Sequence, residues 1–502
     1  MMIERLFFSD LSKEIRGKAL MCVLWCSLFA FLFLFPLSAY ASSVRLKSYR
    51  MSDGKVHTFK TRSAGVRRVL PRTRNDWDSE RIYKAPVILM SYSDRDFLPE
   101  HDIQFYKDML GKKGFNPGCG PGCVADYFRD QSLGKFNLEF DVVSVKTTYG
   151  CKITTTSAIR EAIIKAAEYF DYSDSDYDWD GNGEADVVIV IFAGYGGNQI
   201  DDLSVGCYWP ETDYIYINDL PVEAYSCSNE IWVNDASIGI GTLCHELSHI
   251  LGLPDLYPTM GDDFSVVDEW DLMDGGCFSG DGWCPPNFSI QERELLGWAT
   301  AETLEASQYI ADMPVYDGSA KAYKIVNPSN PNECYYIENR QWEGWDYMLP
   351  GHGMLITHVN YSSSTWRSNT VNGDPSNLRY DYLHADGITF NEYYEYYNDV
   401  DASSYGEDGR NLRLRTTAYP YTSDEGVEST IPTLFGTTIT DLTENDGLLS
   451  FRFRDAADGI STVSSDAEPV AYFDIHGRRI SEPGKGMFIV KYSNGITKKI
   501  IR

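Results

Sequence analysis

The sequence predicts an α+β chain in which a mixed sheet with helices is followed by a β-rich second half. Two nearly continuous apolar runs, at 84–93 and 186–193, have the length and the β-branched content of buried strands. Between them, residues 158–170 carry apolar side chains at helical spacing. After about residue 300 the pattern changes to short β segments separated by turns. Examples of these segments are 334–337, 354–359 and 448–453.

The excess of acidic over basic residues limits the functions that we expect of the chain. The 502 residues include 73 Asp or Glu against 44 Lys or Arg, which gives a formal net charge of −29 at pH 7. Such a chain is repelled by phosphate backbones, so we do not expect nucleic-acid binding. The length allows about two to four domains, and a hydrophobic content of 43% is typical of globular proteins.

The N-terminus has the pattern of an export signal. Basic residues precede an uncharged stretch, 19–43, that contains an apolar core, Pro36 and the small-x-small sequence Ala39-Tyr40-Ala41. We expect a signal peptide over residues 1–41 and a protein that is secreted or held at the cell surface. The stretch is also long enough for an uncleaved membrane anchor, although Pro36 and the cleavage sequence favour removal. Contact with a membrane is then limited to this segment and the export machinery.

Residues 42–84 differ in charge from the rest of the chain. They hold twelve Lys or Arg and four Asp or Glu. Such a segment can be a solvated tail, but its charge complements the acidic body and slightly favours a pro-segment held over a cleft. The further divisions that we expect are a catalytic-type domain over 85–300, a β-rich part over 301–455, a linker over 456–468 and a small β tail over 469–502.

The strongest chemical signal is the stretch 241–257, GTLCHELSHILGLPDLY. His245 and His249 are four residues apart, so one face of a helix presents both imidazoles to the same point. Gly252 allows the left-handed turn that ends the helix and reverses the chain, which returns Asp255 toward the imidazoles as a third ligand. Two neutral nitrogens and one carboxylate, with a fourth position left for water, are typical of catalytic zinc.

Glu246 is the candidate base beside this point. Zinc would lower the pKa of a bound water toward about 7 and polarise a substrate carbonyl. Glu246 would accept the proton of that water and pass it to the leaving amine. An ordinary helix with hydrogen-bonded histidines is the alternative, and Glu292 or Glu294 is a rival third ligand for a thermolysin-like site. The fixed spacing of Gly252 and Asp255 favours Asp255.

Two further stretches accompany this motif. Met273 lies in the glycine-flanked turn WDLMDGG; a buried methionine is usually a core residue, but beside a zinc motif it is also typical of the Met-turn of metzincins. A helix with proline before it and glycine near its end follows at 290–298.

An acidic segment before the second buried strand alternates oxygen-bearing side chains with Gly181 and Gly183. The pattern is similar to half of an EF-hand loop, although no bidentate Glu stands at its twelfth place. It predicts a calcium site, and a solvated acidic turn is the alternative. The candidate ligands are Asp176, Asp178, Asp180, Asn182, Glu184 and Asp186.

Export would permit disulfides. Three cysteine pairs are close enough in sequence to bond, although the connectivity does not follow from sequence. These pairs are Cys119 with Cys123, Cys207 with Cys227, and Cys277 with Cys284.

The zinc motif, the EWDLM turn and the helix that ends in ELLGW together resemble the immune inhibitor A family of secreted bacterial metallopeptidases. The resemblance covers about residues 85–365 and extends more loosely to 455. It implies zinc on His245, His249 and Asp255, with Glu246 as the base and Met273 in the Met-turn. No tyrosine follows Met273 where some metzincins have one, so the group that stabilises the oxyanion stays unassigned.

The last residues resemble the C-terminal sorting domains of exported Bacteroidetes proteins, in the stretches 473–479 and 484–490 and in a basic end. The alternative is a small β appendage that packs on the enzyme.

These features predict a secreted zinc endopeptidase that is made with a signal peptide and a pro-segment and acts on proteins or peptides. The expected fold is a metzincin-like α+β domain, in which a mixed sheet carries an active-site helix, followed by β-rich modules. The competing interpretation is a secreted binding protein or adhesin that keeps such a fold without turnover. The oligomeric state does not follow from the sequence.

Overall fold

The computed structural model describes most of the chain from residue 77 onward. The predicted signal peptide 1–41 and the predicted linker 456–468 lie outside the described residues. Among the described residues, no helix has the length and apolar character needed to cross a membrane. The described ranges are 44–50, 56–62, 77–152, 156–197, 208–232, 234–259, 265–388, 404–406, 408–423, 426–454, 469–474, 478–481, 487–492 and 497–501.

The first half of the chain is built on a five-stranded sheet, which an antiparallel hairpin of β1 (Val44–Arg50) and β2 (Val56–Arg62) precedes in sequence. In the sheet the spatial order is β4-β3-β5-β7-β6, with four parallel strands and β6 antiparallel at one edge. The two strands predicted from apolar runs are confirmed as β3 and β5, which lie inside the sheet and are almost fully buried. The strands are β3 (Ile82–Ser91), β4 (Asn137–Lys146), β5 (Val188–Tyr195), β6 (Glu211–Tyr214) and β7 (Ala224–Ile231).

Helices cover both faces of this sheet. On one face, α3 packs Ile159 and Ile163 into a core with Ile88 and Val190. On the other face, α1, α2 and α4 share a larger core with alternate residues of the same strands. The predicted helix 158–170 is confirmed but ends earlier, because the chain turns after Ala166. The helices are α1 (Ile103–Gly111), α2 (Val124–Gln131), α3 (Ser157–Ala166) and α4 (Gly241–Leu251).

The second half is rich in strands, as predicted. One sheet has the order β13-β12-β11-β10-β8 and another has the order β14-β15-β9. The predicted β segments 334–337, 354–359 and 448–453 are confirmed within β11, β12 and β15. The elements are α5 (Ile290–Leu295), β8 (Glu302–Thr303), β9 (Gln308–Met313), β10 (Tyr323–Asn327), β11 (Asn330–Arg340), β12 (Gly353–Asn360), α6 (Ser363–Arg367), β13 (Tyr380–Tyr382), β14 (Thr438–Asn445) and β15 (Leu448–Arg454).

The tail forms a separate antiparallel sheet of order β17-β16-β18-β19. This β content agrees with both interpretations of the tail, so a sorting role stays a prediction. The strands are β16 (Pro469–Asp474), β17 (Arg479–Ile480), β18 (Met487–Tyr492) and β19 (Thr497–Ile501).

The main core continues across residue 300. Leu355 and Tyr380 belong to the same buried cluster as residues of α4 and the segment that follows it. A buried ion pair adds to this contact: Arg340 Nε and Nη2 donate to Asp346 at 2.6 and 2.7 Å. Asp346 also accepts the backbone N–H of Asn287 at 2.9 Å. The second half is therefore joined to the first by apolar packing and by a paired buried charge.

Two histidines of the second half have carboxylate partners. His352 Nδ1 lies 2.7 Å from Glu444 Oε1. His358 on β12 lies between Asp381 on β13 and Glu333 on β11, at 2.9 and 3.0 Å. Burial lowers the pKa of His358, but the hydrogen bond and charge of Asp381, followed by those of Glu333, raise it above its usual value. The imidazolium form of His358 therefore stabilises the sheet.

The substitution His358→Gln should destabilise the protein in a pH-dependent manner. Because the folded pKa is raised, the contribution of His358 is fully present below the unfolded pKa of about 6.5 and is lost as pH rises through the folded pKa. We expect a loss of about 1–2 kcal/mol in unfolding free energy at pH 5.5 and a clearly smaller loss at pH 9. Urea unfolding in the presence of a chelator measures both values. Equal losses at the two pH values would contradict the assignment.

Candidate metal centre

The candidate ligands begin on α4, which follows the inner strand β7 along the chain. The face with Leu243, Leu247 and Ile250 packs into the main core. The opposite face carries His245 and His249, which are one turn apart, with ring centroids separated by 4.9 Å. Both rings are buried. The apolar periodicity of the helix therefore fixes where the imidazoles point.

Gly252 ends α4 in the left-handed conformation, at φ 104°. Its N–H donates to the carbonyl of His249, and the N–H of Leu253 donates to Ser248. The chain then turns back so that Asp255 Oδ1 lies 3.1 Å from His245 Nε2 and 3.4 Å from His249 Nε2. A side chain with Cβ would be strained at Gly252. The turn predicted from the sequence thus brings the three candidate ligands together.

Backbone carbonyls fix the orientation of both imidazoles. His245 Nδ1 donates to the carbonyl of Leu272 at 2.9 Å, and His249 Nδ1 donates to the carbonyl of Leu253 at 2.8 Å. A carbonyl can only accept, so the proton of each neutral ring lies on Nδ1. Both Nε2 atoms then present lone pairs to the point that Asp255 faces. This is the usual arrangement of histidines that bind a metal.

The electrostatics of the pocket favour a positive charge beside Asp255. Burial raises the pKa of Asp255, but the charges and hydrogen bonds of His249 and His245 hold it well below its usual value. Burial lowers the pKa of His245, yet the hydrogen bond and charge of Asp255 raise it to about 9. The pocket therefore stabilises a cation, which is a proton in the metal-free chain.

The donor set fits a divalent metal. The two histidine nitrogens and the carboxylate oxygen of Asp255 lie within 4.8 Å of one another. Asp255 is 4% exposed and Glu246 is 6% exposed. Among the described residues, Glu246 Oε2 has no hydrogen-bond partner, and Asp255 Oδ1 faces the two imidazole nitrogens. Buried carboxylate oxygens without such partners are unfavourable unless a cation or a proton compensates them, and this nitrogen and oxygen set is one that zinc prefers.

The segment around Met273 contacts both the helix that carries the histidines and the turn that carries Asp255. Met273 is fully buried, and its carbonyl accepts the N–H of Leu256 at 2.9 Å. The preceding carbonyl, of Leu272, holds His245. Asp274 in turn accepts three backbone N–H groups, at 3.0 to 3.1 Å, from the loop before the turn. A buried methionine here fits both a core residue and a Met-turn, so the Met-turn stays a prediction.

The rival ligands Glu292 and Glu294 have other partners. Glu292 accepts the N–H and the hydroxyl of Ser289 at 2.7 and 3.0 Å, which caps α5. Glu294 accepts Lys324 Nζ at 2.9 Å and the hydroxyl of Tyr336 at 2.9 Å. Among the described residues, the converging group contains neither carboxylate. The geometry therefore favours Asp255 over a thermolysin-like third ligand.

Two neighbours of the centre were missed from the sequence. The ring of Tyr257 lies almost parallel to that of His245, with centroids 6.4 Å apart. Asn369, far away in the chain, makes two hydrogen bonds to Asp255. Tyr257 stands in the motif itself and could have been found there. No local pattern identifies Asn369, because its contact depends on how the second half packs.

The acidic loop assembles only part of the predicted calcium set. Oxygen atoms of Asp178, Asp180 and Asp186 lie within 4.8 Å of one another. The Asp178 carboxylate already accepts the N–H groups of Gly181, Asn182 and Gly183. Asp176 is paired with Lys84 at 3.4 Å, and the amide of Asn182 donates to Glu223. Glu184 is exposed. Calcium binding stays a prediction, which a calorimetric titration of metal-stripped protein would test.

Comparison with known proteins bears on the same region. Residues 76–299 match the family model described as immune inhibitor A peptidase M6, catalytic domain. A search of curated proteins found no match. The matched range contains α4, Asp255 and Met273, so the resemblance noted from the sequence is confirmed as far as residue 299. Residues 76–299 are therefore identified as a domain similar to the catalytic domain of the immune inhibitor A peptidases.

Proposed function

We propose that the protein is a zinc-dependent endopeptidase that hydrolyses peptide bonds within protein substrates. The observation that carries this proposal is the convergence of His245, His249 and Asp255 beside the buried carboxylate of Glu246. The match of residues 76–299 to the catalytic domain of a peptidase family supports the reaction class. The donor set supports zinc in preference to the harder cations, which take oxygen ligands.

Each side chain has a defined task in this proposal. Bound zinc would polarise a water molecule and the carbonyl of the scissile bond. Glu246 follows His245 directly, and its Oε2 atom has no hydrogen-bond partner among the described residues, so it can accept the proton of the attacking water. The same carboxyl group then donates that proton to the leaving amine. The carbonyls of Leu272 and Leu253 keep both imidazoles in the tautomer that this requires.

We also propose a metzincin arrangement with an extended substrate along β6. This strand is antiparallel at the edge of the main sheet and lies next to α4. The hydroxyl of Thr212 on β6 donates to the carbonyl of Glu246 at 2.7 Å, which ties the strand to the helix at the candidate base. A peptide that adds to this edge as a further strand would cross the metal centre. A peptide bound along the whole edge would extend past the scissile bond on both sides, which supports cleavage within a chain.

The substitution Glu246→Gln should separate metal binding from catalysis. Glutamine keeps the size of the side chain but cannot accept the proton, so we expect one zinc per chain and a loss of casein hydrolysis of about 10²- to 10⁴-fold. Zinc content is measured by elemental analysis after dialysis. The matched variant His249→Ala should lose both zinc and activity. Casein hydrolysis at the wild-type rate in Glu246→Gln would refute the role of Glu246.

We further propose that the enzyme acts outside the cytoplasm after removal of residues 1–41 and of a pro-segment within 42–84. The targeting pattern and the basic composition of these residues support the proposal. N-terminal sequencing of the protein recovered from culture medium should give a start between residues 42 and 85. A start at Met1, with the protein retained in the cells, would exclude it.

A further inference from the structure

We propose that Asn369, from the second half of the chain, is a positioning residue that holds the ligand Asp255 in its metal-binding orientation. The inference rests on the proposed zinc function and extends it beyond the matched residues 76–299. It assigns a part in building the metal centre to the segment 366–372.

The side-chain amide of Asn369 makes two hydrogen bonds to one residue. Its Oδ1 accepts the backbone N–H of Asp255 at 2.6 Å, and its Nδ2 donates to Asp255 Oδ2 at 2.6 Å. Asn369 is 2% exposed. Because Oδ2 is held by the amide, the carboxylate cannot rotate freely and presents Oδ1 to both imidazoles. Such outer hydrogen bonds orient a ligand and tune its affinity.

The segment that carries Asn369 is itself anchored to the loop after Asp255. The hydroxyl of Thr259 donates to the carbonyl of Asn369. The amide of Asn372 donates to the carbonyl of Leu256 at 2.7 Å. Asn369 has a φ of 55°, a left-handed conformation that asparagine tolerates better than most residues. Backbone conformation and side-chain contacts thus agree on asparagine at this position.

Two substitutions test the role of the amide. Asn369→Asp keeps an acceptor for the N–H of Asp255 but replaces the donor with a like charge. Asn369→Gly removes the side chain without strain at the positive φ. We expect each variant to bind zinc about 10- to 100-fold more weakly than the wild type. Competition with a chromophoric chelator measures the dissociation constant, and the absorption spectrum of the cobalt-substituted protein reports the altered ligand geometry.

A matched control distinguishes positioning from general destabilisation. Asn339 is equally buried, and its amide donates to two backbone carbonyls, of Met313 and Gly447, both at 2.8 Å. Asn339→Ala should lower the melting temperature of the chain and leave zinc affinity and the cobalt spectrum unchanged. If both Asn369 variants bind zinc as tightly as the wild type, the positioning role is wrong. If the wild type binds zinc no more tightly than His249→Ala does, the proposed zinc-dependent function is itself wrong. That outcome is distinct from a failure of the positioning role alone.

A second observation concerns cysteines. We propose that Cys119 and Cys284 form a disulfide when the protein meets a disulfide oxidant. The Sγ atom of Cys119 and the Cβ atom of Cys284 both lie over Gly280. A Cβ at Gly280, where φ is 59°, would stand 2.4 Å from Cys119 Sγ and 3.1 Å from the Cβ of Cys284. The glycine therefore leaves the room that the two thiols occupy.

The pairs suggested by sequence proximity have other surroundings. Cys123 Sγ donates to Asp126 at 3.3 Å, and Cys277 Sγ donates to the carbonyl of Asp274 at 3.6 Å. Cys227 Sγ donates to the carbonyl of Trp209 at 3.4 Å, and Cys207 lies outside the described residues. In the described part of the chain all cysteines are thiols. Cys119 and Cys284 also face backbone carbonyls, so their shared position over Gly280 is the observation that favours this pair.

The exposure of the two thiols indicates which one reacts first. Cys119 is exposed and Cys284 is buried, and the neighbouring thiol of Cys284 lowers the pKa of Cys119. The Cys119 thiolate attacks one sulfur of a small disulfide and releases one thiol. Cys284 loses its proton and attacks the Cys119 sulfur, which releases the second thiol. The two protein thiols are oxidised, and the small disulfide is reduced to two thiols.

Oxidised glutathione and peptide mapping without reductant test this pair. We expect a linked peptide that joins Cys119 and Cys284, with Cys123 and Cys277 still open to alkylation after unfolding, and a melting temperature several degrees higher. The variant Cys119→Ser should lose the linked peptide and the gain in melting temperature, whereas Cys123→Ser should keep both. Separate alkylation of Cys119 and Cys284, or a bond between Cys119 and Cys123, would overturn the proposal.

Discussion

The candidate metal centre depends on one carboxylate oxygen that is held, away from water, between two imidazole nitrogens. An ionised carboxylate is costly to bury unless hydrogen bonds or opposite charge compensate it. In this chain the second oxygen of Asp255 is compensated by an amide, and the first faces His245 and His249. The elements around the site deliver these groups or prevent them from rotating. The fold therefore maintains a place for positive charge.

Much of the fold could be predicted because its signals are local. The apolar runs of β3 and β5 indicate strands buried on both faces, and the change of pattern after residue 300 marks the β-rich half. The end of α3 was placed too late, because its apolar side chains continue into a turn that also contacts the core. Hydrophobic periodicity reports which residues are buried more reliably than where a helix ends.

The candidate site also combines residues that the sequence identifies with residues that only the fold brings to it. His245, Glu246 and His249 share one helical turn, and Gly252 fixes the return of the chain, so the spacing alone indicates the convergence at Asp255. The partners of these residues are distant in sequence. The carbonyl of Leu272 and the amide of Asn369 reach the centre only through tertiary packing. Composition also suggested a larger calcium set than the loop assembles, because several of its carboxylates and amides bond within the chain.

The two imidazoles are anchored from different sides, and this asymmetry has a consequence for natural variation. His249 donates a hydrogen bond to the carbonyl of Leu253, within the same turn that carries Asp255, so a shift of this turn moves both candidate ligands. His245 instead donates to the carbonyl of Leu272, so its orientation depends on the segment around Met273. An insertion or deletion in the loop before Met273 would shift one candidate ligand, His245, whereas a change between residues 252 and 255 would shift His249 and Asp255 together. Changes of length should therefore be tolerated more readily in the loop before Met273 than between residues 252 and 255.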